Sequence, residues 1–137
     1  SSRSMAQVDV PFLVIAGLKD IFAPPISQQL IPFTAIRSPG SVLAVQNNGT
    51  HLSFLDGTSD LPKVVIGPDQ PLARTELQGL AKLFFDRHLL GAPAEPPLIH
   101  SPEAGVVVGS EPLPLLLRST LTMPQLKQVE PGLAEVP

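Results

Sequence analysis

An aspartate and a histidine stand where they could share a proton. Asp20 follows the apolar run Val10–Ala16 by four residues, and His51 follows the shorter run Val42–Val45 by six. A carboxylate that accepts the imidazole Nδ1–H sets the ring's tautomer. It also stabilises the imidazolium formed when Nε2 takes a proton. The pair suits general base chemistry, provided the chain brings the two loops together. In open α/β sheets, ligands and catalytic groups gather at the carboxyl ends of the strands. Adjacent parallel strands would carry both loops to one edge.

The flanking segments favour that arrangement. Val10–Ala16 reads VPFLVIA and runs into Gly17. A continuous apolar run rich in β-branched residues predicts a strand buried on both faces, as in a parallel sheet. Val42–Val45, reading VLAV, predicts a second strand of the same kind, opened by Pro39-Gly40-Ser41 and closed by Asn47-Asn48-Gly49. The 25 residues between them exceed any hairpin and suffice for a crossover helix. Pro24-Pro25 could start that helix, and Pro32 must end or kink it. Leu72–Leu90 predicts the longest helix, with Leu77, Leu80, Ala81, Phe84 and His88 along one face. Gly91 with Pro93 close behind is a stop signal, and a boundary is expected there. Proline is about twice as dense in residues 92–137 as in 1–91. In this tail Ala104–Val108 could be a strand, Leu113–Leu117 is apolar between prolines, and Pro124–Val129 could form a helical turn.

Composition narrows the classes of function. Leu, Ile, Val and Phe make up about a third of the 137 residues, well above the level of disordered chains. A net charge of −3 without a basic run argues against a nucleic-acid surface. No apolar run approaches the roughly 18 residues of a membrane span. The absence of cysteine excludes disulfides, thiolate metal sites and a cysteine nucleophile.

The motifs resemble those of a known family. Pro11-Phe-Leu-Val-Ile-Ala-Gly-Leu-Lys-Asp20, followed by Ala23-Pro24, resembles the penultimate core strand and acid loop of α/β-hydrolases. Val42-Leu-Ala-Val-Gln-Asn-Asn-Gly49-Thr-His51-Leu-Ser-Phe54 resembles the last strand and histidine loop of that family. Leu83-Phe-Phe-Asp-Arg-His-Leu-Leu-Gly91 resembles its closing helix. The stretch Gln28-Gln-Leu-Ile-Pro-Phe33 is most similar to the dienelactone-hydrolase-like branch, which includes relatives of platelet-activating-factor acetylhydrolase. The resemblance covers about residues 8–91. It implies the C-terminal portion of an α/β-hydrolase sheet, with two parallel strands, a crossover helix and a closing helix, followed by a proline-rich extension. It further implies Asp20 as the triad acid, His51 as the general base, an ester or lactone substrate, and no metal or organic cofactor.

One part of the family pattern is missing. The nucleophile elbow Gly-x-Ser-x-Gly should precede the acid and the histidine, yet it occurs nowhere in the chain. Ser41 and Ser110 lack the elbow and follow Asp20. The expectation is therefore a hydrolase C-terminal part that takes its serine and oxyanion hole from an upstream half. The alternatives are a truncated, inactive hydrolase remnant serving as an interaction piece, or an unrelated small α/β module. Other candidates have plainer explanations. Asp20 could simply cap its turn, His51 could be a surface loop residue, and Asp56 reads as a turn in Asp-Gly-Thr. His88 reads as structural against Phe84, His100 as solvated, and Leu113–Leu117 as packing rather than a lid. Two strands and one long helix would leave Phe12, Val14, Val42 and Val45 half exposed and both sheet edges unpaired. Poor packing of the chain by itself is expected.

Overall fold

Three short strands form the sheet: β1 (Leu13–Gly17), β2 (Val42–Gln46) and β3 (Leu115–Arg118), in the order β1-β2-β3. The computed structural model describes residues 2–46, 49–52, 71–102, 104, 115–118 and 121–127. β1 and β2 are parallel, with Leu13 opposite Val42 and Gly17 opposite Gln46. β3 pairs antiparallel on the far side of β2, with Leu43 opposite Arg118 and Gln46 opposite Leu115. The chain is thus an α/β unit with a parallel pair at its heart. Among the described residues no helix is long and apolar enough to cross a membrane.

Among the described residues, the helices that accompany the sheet include α1 (Ser2–Met5), α2 (Ile31–Thr34) and α3 (Pro71–Leu89). The crossover between β1 and β2 differs from a simple proline-broken helix. Pro25 opens a wide turn, Ile26–Leu30, in which the Ile31 N–H reaches Ile26 O, and α2 continues directly from it. Pro32 has no N–H to give the preceding turn, and a widened turn is one way a helix absorbs such a defect. α3 runs within one residue of its expected limits. Its end is the glycine stop: Gly91 adopts φ +71, and Ala92 N–H returns to Asp86 O at 3.1 Å.

Alternation along the strands builds two apolar layers. Val14, Ala16, Leu43 and Val45 face Leu30 and Phe33 of the crossover, together with Leu121 and Leu126. Leu13, Ile15, Val42 and Ala44 face Leu80 and Phe84 of α3, together with Leu98 and Ala104. β2 is buried throughout because strands flank it on both sides and helices cover both faces. β1 begins at Leu13 rather than Val10 and is only partly buried over Leu13–Ile15, since among the described residues β2 alone pairs with it; Val10 is exposed.

The expectation of an underpacked chain is corrected in part by these contacts: Val42 and Val45 are buried, whereas Phe12 and Val14 are half-buried as expected. Tail residues supply cover on both faces, and β3 closes one edge of β2. Ala104 lies in a helical turn rather than a strand, whereas residues 105–108 lie outside the described residues. The expected turn from Pro124 is seen as a helical stretch at 123–127, and 128–129 lie outside the described residues. Leu113 and Pro114, at the start of the apolar tail segment, also lie outside them.

The tail's place in the core is testable. Leu126 is 1% exposed, so Leu126→Ala should cost about 2–5 kcal/mol, the range of buried leucine truncations. Leu90→Ala, at a site 78% exposed, should stay within about 0.5 kcal/mol. Urea unfolding of both variants checks this; equal midpoints would remove the tail from the core.

Candidate functional site

The site begins where two glycines meet. Gly17 ends β1 and Gly49 follows β2. A Cβ placed on Gly17 would come within 2.4 Å of Gly49 O, and one on Gly49 within 3.0 Å of Gly17 Cα. Neither position tolerates a side chain without movement of backbone. The contact is tied by hydrogen bonds: Leu18 N–H donates to Gln46 O (3.0 Å), Lys19 N–H to Gly49 O (2.9 Å), and Gly49 N–H to Gln46 O (3.2 Å). The acid loop and the histidine loop therefore lie against each other at the carboxyl edge of the parallel pair.

This contact delivers Asp20 to His51. Asp20 N–H donates to Gly17 O at 3.1 Å, turning the chain tightly after β1. One carboxylate oxygen, Oδ1, then accepts Phe22 N–H (2.9 Å) and Ala23 N–H (2.8 Å). The other, Oδ2, lies 2.9 Å from His51 Nδ1. A carboxylate only accepts, so the ring proton on this side belongs to Nδ1. Turn capping and histidine pairing thus coexist, one oxygen for each. The Asp20 side chain is 9% exposed and that of His51 49%, which leaves Nε2 as the nitrogen available for outside chemistry. Phe22, itself exposed, sets its ring 5.7 Å from that of His51 at a tilt of 59°.

The other candidates fall as follows. Asp56, Ser110 and Phe54 lie outside the described residues. Ser41 is buried: its Oγ accepts Phe12 N–H and pairs with Ser38 Oγ, at the opposite end of the strands. His88 packs edge-on to Phe84 at 4.6 Å and fills the space beside Gly40, so it is structural. His100 is exposed. Among the described residues no group of three or more His, Asp or Glu is placed to hold a metal ion.

Sequence reasoning missed one polar pair. Gln46, the last residue of β2, donates from Nε2 to Glu76 Oε2 of α3 at 2.6 Å, and both residues are buried. Burial pushes the Glu76 carboxyl up from its ordinary value, opposed by the bond from Gln46. The available signal was spacing: Glu76, Leu80 and Phe84 form an i, i+4 stripe, which is the buried one. Leu77 and Ala81, expected on that face, are only half-buried.

No family model, no curated protein and no solved structure matches this chain.

Replacing the acid by its amide should reverse the ring. In Asp20→Asn the amide oxygen would keep the Phe22 and Ala23 N–H groups, and the NH2 would face His51 Nδ1. The neutral ring should then carry its proton on Nε2. Ring nitrogen shifts in NMR report the change; an unaltered tautomer would mean that Oδ2 does not govern the ring.

Proposed function

We propose that this chain supplies the acid and the base of a serine-type α/β-hydrolase acting on carboxylic esters or lactones. The nucleophile and the oxyanion-hole donors belong to an upstream half that completes the sheet. The observation that supports this most is the Asp20–His51 hydrogen bond at the carboxyl edge of a parallel strand pair. It matches the acid-then-histidine order that the family motifs imply. β1 also has one side without a partner strand among the described residues, where an upstream strand would pair.

The chemistry follows from the ring's two nitrogens. Nε2 takes the proton of the serine hydroxyl as its oxygen bonds the acyl carbon. Asp20 stabilises the imidazolium, and the ring returns the proton to the departing alkoxide. Water then repeats the cycle and releases the acid. Phe22, exposed beside the ring, would present an apolar lip to the acyl or alcohol part of the substrate. The tail observation favours a second reading, an inactive remnant used as an interaction piece, because the unit builds its own core from residues 92–137.

Activity separates the two. The 137-residue chain should show no saturable turnover of a short-chain activated ester. The full gene product, carrying an in-frame Gly-x-Ser-x-Gly segment upstream, should turn it over. His51→Ala should then lower kcat by about 10⁴-fold or more, and Asp20→Asn by about 10³–10⁴-fold. Saturable turnover by the short chain, or a gene product without an elbow and without activity, overturns the proposal.

A further inference from the structure

Gln46 is the structural junction of the site. Its backbone oxygen accepts both Leu18 N–H of the acid loop and Gly49 N–H of the histidine loop. Its side chain runs past Gly49 to α3 and meets Glu76. Gln46 is 1% exposed and Glu76 2%. Only one bond of that meeting is accounted for by Nε2–H donating to Oε2. The remaining oxygens, Gln46 Oε1 and Glu76 Oε1, are buried and have no hydrogen-bond partner among the described residues.

We propose that Glu76 and Gln46 form a reciprocal acid–amide pair, and that Glu76 is thereby a positioning residue for Asp20 and His51. A carboxylate has no proton to give, so two buried acceptors would stand without a donor. A carboxylic acid removes both defects with one proton: Glu76 Oε1–H donates to Gln46 Oε1 while Oε2 keeps the amide N–H. Both groups can then be satisfied in a plane, and Gln46 is clamped. Its movement would reach the histidine loop directly, since a Cβ on Gly49 would lie only 3.2 Å from both Gln46 Cβ and Oε1.

The surroundings agree with a neutral acid. β1 and β2 carry no ionisable side chain. On α3, Lys82 pairs with Asp86, Arg87 donates to Ala94 O, and His88 lies on Phe84. Arg74, two residues before Glu76, is the other charged group of the helix. Burial is the larger influence on the carboxyl and the Gln46 bond the smaller, with no charged group among the causes. The folded acid is thus held above its ordinary value of 4.5. Its contribution to stability is full below that value and is lost as pH rises through the raised midpoint.

As a statement about catalysis this rests on the hydrolase reading; as a statement about geometry it does not. The test therefore uses no substrate. The 137-residue chain, labelled at glutamate carboxyl carbons and histidine ring nitrogens, is titrated by NMR and melted at each pH. Glu76 should titrate last among the glutamates. The melting temperature and the Nδ1–H tautomer of His51 should both decline through the same midpoint. Glu76→Gln, which pairs amide to amide and cannot ionise, should keep the tautomer and flatten both profiles. Glu76→Ala should lose the tautomer at every pH. Titration of Glu76 together with the other glutamates overturns the pair, as does a pH profile of Glu76→Gln that follows the unsubstituted chain. An unchanged His51 tautomer in Glu76→Ala overturns the positioning role. If the alanine variant fails to fold, the Glu76→Gln profile still decides. Failure of ester turnover in the full gene product leaves all these readouts standing.

Discussion

Everything at the site depends on the close approach of Gly17 and Gly49. Two parallel strands end at the same edge, but their following loops carry side chains that would hold them apart. Glycine at both places lets backbone meet backbone, with Gly49 O where a Gly17 side chain would be. The contact brings the N–H groups of Leu18 and Lys19 onto the oxygens of Gln46 and Gly49. These bonds satisfy backbone groups that a loose loop would leave to water. They also define where Asp20 begins, and so where its carboxylate can point. Asp20 is fixed a second time by Phe22 and Ala23 N–H, which hold one oxygen and aim the other. His51 thus meets a carboxylate whose direction the backbone has set in advance.

The sheet that carries this contact is small, and its solidity comes from the segment beyond α3. β2 is the only described strand with partners on both sides. Its alternating residues enter two separate apolar layers, each completed partly from residues 98–126. Long-range closure of this kind makes the tail part of the structure that positions the site, although it contributes no group to it. The site itself sits outside the layers, with Phe22 exposed beside His51.

The α3 layer contains one polar interruption. A buried carboxyl that faces an amide costs free energy unless each donor and acceptor finds its complement, and an unpartnered group costs about 1–3 kcal/mol. The fold bears this at the end of β2, where the strand turns into the histidine loop. An apolar residue at Gln46 would fill the space but could not tie the strand end to α3 through directed bonds.

The two parallel strands, the long helix and the acid–histidine pairing were legible in the sequence for a local reason. Continuous apolar runs, a glycine stop and the placement of Asp20 and His51 just past two strands are short-range patterns with few physical solutions. The start of β1 was not legible, because Val10–Ala16 is equally apolar throughout and only the register with β2 shows where pairing starts. Nor was the wide turn before Pro32, since the proline announces a defect without saying how the helix absorbs it. The role of the tail and the Glu76–Gln46 pair were decided by tertiary structure alone. Leu98, Leu121 and Leu126 lie among prolines with no periodicity that names their partners. Glu76 looks like a surface residue until the rotation of α3 turns the Glu76–Leu80–Phe84 stripe inward. The sequence determined which residues could do chemistry at one sheet edge. Only the packing of distant segments decided what holds them there.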